Sequence, residues 1–229
     1  LPMDLRSLVH VATRSAAPRL ATVTDALARR GRAFGDQLAG GDLEARVRRA
    51  ASNLGETGVD PFGLDPGFIK HALTVAGFLH RVYFRTQVRG IERIPAGRVL
   101  LIANHSGQVP IDGAVIGASV FLDHDPPRIV RSMVEKWALT LPFVSTLFTR
   151  CGQVVGVPEN ARRLLSRGEA ILVFPEGTRG INKPFSQRYQ LVDFGLGFMR
   201  LALETKTPIV PVALVGAEEQ YVNVGNVEI

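Results

Sequence analysis

The chain has 229 residues, 46% of them hydrophobic, which is enough to bury one sizeable core and is typical of a globular rather than a disordered protein. Lysine and arginine outnumber aspartate and glutamate by 27 to 21, and the net charge of +6 favours anionic partners. Its single cysteine, Cys151, excludes an internal disulfide framework and a cysteine-based zinc site. Binding to nucleic acid is disfavoured, because the basic residues are scattered among acids without interleaved aromatics.

The first 60 residues are rich in alanine and arginine and show helical periodicity, which predicts a helical N-terminal extension. Residues 61–85 follow as a linker rich in proline and glycine and then a helix, Gly67 to Arg85, whose apolar stripe is flanked by basic residues. Two interpretations of this helix are open: it lies at a membrane interface, or it packs on the rest of the protein. At an interface, the side chains in lipid would include Phe68, Leu73, Phe78 and Leu79.

No segment of the chain is apolar for long enough to cross a membrane. The longest segments without Asp, Glu, Lys or Arg are Val99 to Ile111 and Trp137 to Thr149. Both are shorter than the run of about 20 apolar residues that a spanning helix needs. The sequence therefore predicts no transmembrane span.

From residue 86 onward, short apolar runs alternate with helical segments. The predicted strands are RVLLIAN, RIVRS, GQVVGV, AILVFP and PIVPVALVG, and the predicted helices are DGAVIGASVFL, EKWALTLPFVSTLF, PENARRLLSRG and one that begins near Asp193. Strands that are apolar on both faces and alternate with helices indicate an α/β fold, with a largely parallel central sheet flanked by helices. In such sheets, functional sites lie where strands end and helices begin.

The strand RVLLIAN runs directly into a polar loop that carries His105 and Asp112. Gly107 and Pro110 lie between them and can fold this loop back, so that the carboxylate reaches the imidazole. Such a pair forms a general base, in which the aspartate orients the histidine and stabilises its protonated form. The alternative is that Asp112 only caps the following helix and that His105 is an ordinary loop residue.

A second polar segment, VFPEGTRG from Val173 to Gly180, also follows an apolar strand. Gly177 and Gly180 leave backbone amides open, Thr178 supplies a hydroxyl group and Arg179 supplies a planar set of donors. This combination suits a phosphate group. The alternative is a tight turn with a solvated arginine, because short glycine-rich strings are weak signals.

Together these two segments resemble the glycerolipid acyltransferase family, whose members acylate lysophosphatidic acid, glycerol phosphate and related acceptors. The resemblance rests on Asn104-His105 at one strand end and on FPEGTR at another, and it covers about Val88 to Glu219. Four residues usually separate the histidine from the aspartate in the family's first motif, whereas six separate them here.

The resemblance implies that His105, oriented by Asp112, deprotonates an acceptor hydroxyl, which then attacks the thioester of acyl-CoA or acyl carrier protein. Binding of the acceptor, such as lysophosphatidic acid, and of its phosphate would fall to Arg150 in LFTRCGQVVG, to Glu176, Gly177, Thr178 and Arg179, and to Lys183. Pro211, in PIVPVAL, matches a position that shapes the acyl pocket. The resemblance implies no metal and no bound cofactor.

Because the substrates are lipids, the resemblance also implies a membrane surface as partner. We expect a peripheral or monotopic protein at the cytoplasmic face of a membrane. The acyltransferase domain would span residues 86–229 and be cut short at Ile229.

The sequence leaves one other function open and disfavours another. A catalytically silent lipid-binding module would keep the glycine-rich segment while the lengthened loop fails to join His105 to Asp112. A serine hydrolase is disfavoured, since the string Gly-x-Ser-x-Gly does not occur.

Cys151 follows an apolar helix, which is more typical of a small buried side chain than of a nucleophile. The remaining histidines lack the spacing of ligands and are expected at the surface or at an interface: His10, His71, His80 and His124.

Overall fold

Parallel strands form the centre of the protein. Its structure, a computed structural model, describes residues 24–51, 60–107, 109 and 111–220. The strands are β1 (Val99–Ala103), β2 (Val130–Val134), β3 (Val154–Val155), β4 (Ala170–Val173) and β5 (Ile209–Val212). The helices are α1 (24–39), α2 (Leu43–Ala50), α3 (Pro66–Phe78), α4 (Ile111–Asp123), α5 (Val144–Arg150), α6 (Pro158–Ser166), α7 (Thr178–Ile181) and α8 (Gly197–Thr205).

The described strands form one sheet in the order β3-β2-β4-β1-β5, and every neighbouring pair is parallel. All five residues of β1 are buried. Its alternate side chains pack on opposite sides, with Leu101 facing α4 and Leu100 facing α6 and α8. Helices cover both faces, which explains why the sequence of β1 is apolar without interruption. The predicted α/β fold with a parallel central sheet is confirmed.

The helices before the sheet pack on α4 and share a hydrophobic cluster with it. Asp42 caps α2 and Asp65 caps α3, each by accepting a hydrogen bond from a backbone amide in the first turn. Leu73 of α3 is buried in this cluster and is therefore not available to lipid. The opposite face of α3 is exposed, with Val75 62% accessible. The early part of the predicted extension, residues 1–23, lies outside the described residues.

Three predicted elements differ from those of the structure. The segment EKWALTLPFVSTLF is not one helix: a 3-10 helix, Lys136–Thr140, is separated from α5 by a turn in which Phe143 has a φ of 62°. Pro142 in that turn explains the break, because proline cannot donate a helical hydrogen bond. Helix α8 begins at Gly197 rather than near Asp193, and β5 is a partly exposed edge strand, with Ile209 40% accessible.

Two histidines expected at the surface or an interface are buried instead. Nε2 of His80 lies 2.9 Å from Oδ2 of Asp123, which fastens the π-helical end of α3, Leu79–Tyr83, to the end of α4. Nδ1 of His124 lies 2.7 Å from the carbonyl oxygen of Pro126. The expectation is therefore wrong for these two, whereas His71 is exposed and His10 lies outside the described residues.

A buried ion pair joins the linker to the sheet. The side chains of Arg131 on β2 and of Asp60 are both fully buried, with Nη1 and Oδ2 2.5 Å apart. Nε of Arg131 also donates to the carbonyl oxygen of Gly152, at 2.7 Å. Burial by itself would raise the pKa of Asp60, but the hydrogen bonds and charge of Arg131 lower that pKa below its usual value. Sequence analysis did not identify this pair.

Among the helices that the structure describes, none combines the length and the apolar character needed to cross a bilayer.

Candidate active site

The two motif segments meet at one edge of the sheet. Strands β1 and β4 are neighbours, with Ile102 opposite Val173 in the register, so both end at the same edge. His105 follows β1 by two residues and Glu176 follows β4 by three. The fold thus brings together segments that lie far apart in the sequence.

Asp112 lies within hydrogen-bond distance of His105, although six residues separate them. Oδ2 of Asp112 is 2.5 Å from Nδ1 of His105, and the carboxylate also accepts a hydrogen bond from the amide of Ser106. Asp112 belongs to the first turn of α4 rather than to its cap, and it is completely buried. Because Nδ1 is held in this way, Nε2 is the ring nitrogen left to meet a substrate.

Phe174 fixes the plane of the imidazole ring. Its ring stacks on that of His105, with the centroids 4.0 Å apart and an angle of 15° between the planes. A Cβ atom built on Gly113 would lie 3.6 Å from the Phe174 ring, so the phenyl group is itself confined. Sequence analysis did not assign a role to Phe174, although its position directly after β4 was a usable signal.

Glu176 positions the backbone of the site rather than reaching into open space. Its Oε1 accepts a hydrogen bond from the amide of His105 at 2.9 Å, and its Oε2 accepts one from the amide of Val192 at 2.8 Å. The residue is 2% exposed. A buried carboxylate with both oxygens engaged in this way holds the His105 loop to the segment that follows α7.

Lys183 is enclosed by oxygen atoms. Its Nζ lies 2.7 Å from the carbonyl oxygen of Gln190, 3.0 Å from Oε1 of Glu218 and 3.6 Å from Oε2 of Glu176. The side chain is 6% exposed. Glu218 accepts a second hydrogen bond, from the amide of Tyr189. The ammonium group therefore donates two hydrogen bonds within the protein and forms an ion pair with a second carboxylate, that of Glu176.

The glycine-rich loop is arranged differently from the sequence expectation. The amide of Gly177 donates to the carbonyl oxygen of Phe174, at 3.0 Å, and that of Gly180 donates to the carbonyl oxygen of Gly177, at 3.1 Å. The expectation that these amides are open is therefore wrong, because the loop turns directly into the short helix α7. Thr178 is the first residue of that helix.

Arg179 is exposed and donates one hydrogen bond to the carbonyl oxygen of Asp193, at 3.1 Å. A carboxylate to which the sequence patterns assigned no role also lies beside the glycine-rich loop. Oε1 of Glu135 would lie 3.9 Å from a Cβ atom built on Gly177. Glu135 directly follows β2, the other neighbour of β4, which was the available signal.

One predicted site residue, Arg150, is not brought to His105. The guanidinium group of Arg150 donates to Oδ2 of Asp65, at 2.6 Å, and lies over the ring of Phe68. Because α5 leads into the start of β3, Arg150 lies towards the edge of the sheet opposite the one where His105 is found. Pro211 is an exposed residue of β5, opposite Ile102 of β1.

Asn104 ties the end of β1 to the chain that follows β5. Its side-chain amide donates to the carbonyl oxygen of Leu214, at 2.9 Å, and its side-chain oxygen accepts from the amide of Leu214, at 2.8 Å. This pair of bonds continues the ladder between β1 and β5 after the strands themselves end. The residue before the histidine thus has a structural role in holding the site.

Cys151 does not have the character of a nucleophile. Burial raises the pKa of its thiol to about 11, so that the thiol stays protonated at neutral pH.

Gly180 is required by a close approach between α7 and the His105 loop. A Cβ atom at this position would lie 2.8 Å from Cβ of Glu176, 2.9 Å from Cβ of His105 and 3.0 Å from the carbonyl oxygen of His105. We expect Gly180→Ala to lower kcat by about 10²-fold, because the methyl group displaces the histidine from its working position. Steady-state kinetics of acyl transfer would measure this loss.

Gly117 provides the matched control, since a Cβ atom built there meets no atom within 4 Å. Gly117→Ala should keep full activity and raise stability slightly, because alanine favours the interior of α4. Equal activity of the two variants would show that the contact at Gly180 does not position His105.

Comparison with known proteins adds to this geometry. Residues 85–215 match the model of the family described as Acyltransferase. An uncharacterized protein of Mycobacterium leprae is 40% identical over 170 residues, which make up 73% of this chain and 46% of that protein. An uncharacterized protein of Mycobacterium bovis is 38% identical over 170 residues, which make up 73% of this chain and 48% of that protein. The chain thus spans about half the length of these curated relatives.

More distant relatives carry functional names. A mouse protein named DGAT1/2-independent enzyme synthesizing storage lipids is 27% identical over 146 residues, 63% of this chain and 43% of that protein. A 1-acyl-sn-glycerol-3-phosphate acyltransferase of Cocos nucifera is 36% identical over 63 residues, 28% of this chain and 18% of that protein. No solved structure matches the chain significantly.

Proposed function

The chain belongs to the acyltransferase family, and on that premise we propose that it moves a fatty acyl group from acyl-CoA or acyl carrier protein to a hydroxyl group of a glycerolipid. One observation carries the proposal: the hydrogen bond between His105 and Asp112 at the shared edge of β1 and β4. Lysophosphatidic acid, which bears a phosphate group, is the glycerolipid acceptor that the sequence resemblance implies. The names of the mouse and coconut relatives support acylation of glycerolipids in general.

The proposed reaction needs one base and one oriented alcohol. Nε2 of His105 takes the proton of the acceptor hydroxyl as its oxygen attacks the thioester carbonyl carbon. The C–S bond then breaks, the new C–O ester bond remains, and the proton passes from the imidazolium to the departing thiolate. Asp112 stabilises the imidazolium during these steps, while stacking on Phe174 and the Glu176 bond to the His105 amide keep the ring in position.

A membrane surface is part of this proposal, because acyl chains are brought from lipid. The exposed side of α3 and of the π-helical turn after it supports attachment there, with Val75, Val82 and Tyr83 62%, 49% and 66% accessible. Arg85, which is exposed, follows these side chains and would meet anionic head groups, whereas Arg81 pairs with Asp123. We propose peripheral or monotopic attachment at the cytoplasmic face.

The proposal is tested by following both products of the reaction. The full chain is incubated in micelles of uncharged detergent with a labelled acyl-CoA or acyl carrier protein thioester and a glycerolipid alcohol. We expect one ester to form for each thiol released, and both to depend on the acceptor. Thiol release that is equally fast without acceptor would indicate a thioesterase instead, and an absence of both products from the folded chain would refute acyl transfer.

A further inference from the structure

The cations predicted to bind a phosphate are mostly engaged within the protein. Arg150 is paired with Asp65 towards the far edge of the sheet. Lys183 is buried against two carboxylates, Glu176 and Glu218. Of the predicted set, Arg179 is the one whose contact in the described structure is a single bond to a backbone carbonyl oxygen. A phosphate monoester carries a charge of about −1.5 to −2 at pH 7 and is held best by several charge-assisted hydrogen bonds.

The glycine amides of the loop do not take the place of these cations as phosphate ligands. The amides of Gly177 and Gly180, which a phosphate-binding loop would point at its ligand, donate to carbonyl oxygens of the loop itself. These two amides are therefore not available to an anion at the loop.

A carboxylate also lies beside the glycine-rich loop. Oε1 of Glu135 would be 3.9 Å from a Cβ atom built on Gly177. A phosphate bound at Gly177 would face this like charge, and such juxtaposition disfavours binding.

Resting on the proposed acyl transfer, we propose that the acceptor is an uncharged glycerolipid alcohol, a mono- or diacylglycerol, and that lysophosphatidic acid is a poor substrate. The carboxylate of Glu135, beside Gly177, is the group that selects against a phosphate. A neutral glycerol hydroxyl needs only the base at His105 and an apolar environment for its acyl chain, and it leaves no buried charge without a partner.

The first experiment compares two acceptors that differ only by the phosphate. With one labelled acyl-CoA in uncharged micelles, kcat/KM is measured for 1-oleoylglycerol and for 1-oleoylglycerol 3-phosphate. We expect the phosphate-bearing acceptor to be at least about tenfold poorer. An equal or higher kcat/KM for that acceptor would overturn the inference while leaving acyl transfer itself intact.

A charge reversal tests the role assigned to Glu135. Glu135→Lys should raise kcat/KM for 1-oleoylglycerol 3-phosphate by about tenfold and change that for 1-oleoylglycerol little. Glu92→Lys is the matched control, since Glu92 is an exposed residue that precedes β1 at the opposite edge of the sheet. If both variants improve use of the phosphate to the same extent, the local carboxylate is not the selecting group and the inference fails.

A binding measurement separates this inference from the proposed chemistry. Trp137 is the only tryptophan of the chain, and it follows Lys136 just beyond β2. Its fluorescence is followed while 1-O-hexylglycerol or its 3-phosphate is added without acyl donor. Binding of the neutral ether that is about tenfold tighter than that of its phosphate supports the inference. If no acceptor is acylated but the neutral ether still binds more tightly, the proposed acyl transfer fails and the inference about the acceptor stands. Tighter binding of the phosphate overturns the inference.

Discussion

His105→Ala is expected to fold normally and to lose acyl transfer by about 10²–10⁴-fold in kcat, the usual contribution of a general base. Asp112→Asn should lose nearly as much, because the imidazole then lacks the charge that stabilises its protonated form. The double variant should be little worse than either single variant, since the two side chains act as one unit. Single-turnover kinetics with a labelled thioester would measure all three.

His71→Ala is the control for these variants. His71 is an exposed residue of α3, outside the cluster around His105, so its removal should leave kcat unchanged. Retention of more than about a tenth of the activity by His105→Ala would show that another group removes the proton. If Asp112→Asn keeps full activity while His105→Ala loses it, Asp112 only accepts the hydrogen bond from the Ser106 amide and takes no part in catalysis.

The second large effect is expected at the buried pair of Arg131 and Asp60. Asp60→Asn should lower the free energy of unfolding by about 3 kcal/mol, because it leaves the buried Arg131 guanidinium with only the more distant carboxylate of Glu169, 3.9 Å away, as a counter-charge. The pKa of Asp60 is held below its ordinary value of about 3.9, so the stabilisation is complete above that pH. It should be lost as the pH falls through the lower pKa of the folded state. Urea unfolding curves at several pH values would measure both effects.

Glu204→Gln provides the comparison, since it neutralises a carboxylate that pairs with Arg162 at the surface. Both of those side chains are largely exposed, and the urea midpoint should hardly move. If Asp60→Asn and Glu204→Gln unfold at the same urea concentration, the buried pair contributes no more to the free energy of unfolding than a surface pair does.

The strands and the contact between His105 and Asp112 could be predicted because their signals are local. The uninterrupted apolar run of β1 requires burial on both faces, and a polar residue directly after such a strand must lie at its carboxyl end. The glycine and proline residues between His105 and Asp112 indicated that the loop joining them folds back. The turn at Pro142, by contrast, was readable from the sequence and was missed.

The partners of the charged residues could not be predicted in the same way. Whether Lys183 faces a ligand or Glu218, and whether Arg150 faces a ligand or Asp65, depends on which distant segments the fold brings beside them. His80 was expected at the surface or at an interface because it lacks the spacing of a ligand, yet its position against Asp123 is determined by how α3 crosses α4. A sequence pattern assigns a side chain to a face of a helix, but it does not name the neighbour on that face.

The spatial order of the strands differs from the order in which a ribosome makes them. β1 is synthesised first, yet its neighbours are β4 and β5, and its carboxyl end is completed by Glu176, 71 positions after His105, and by Leu214, 110 positions after Asn104. Until those segments emerge, its five apolar side chains have no sheet to join. We therefore expect the nascent chain to fold late and to need chaperones that shield apolar strands, and a polypeptide that stops at β3 to be prone to aggregation.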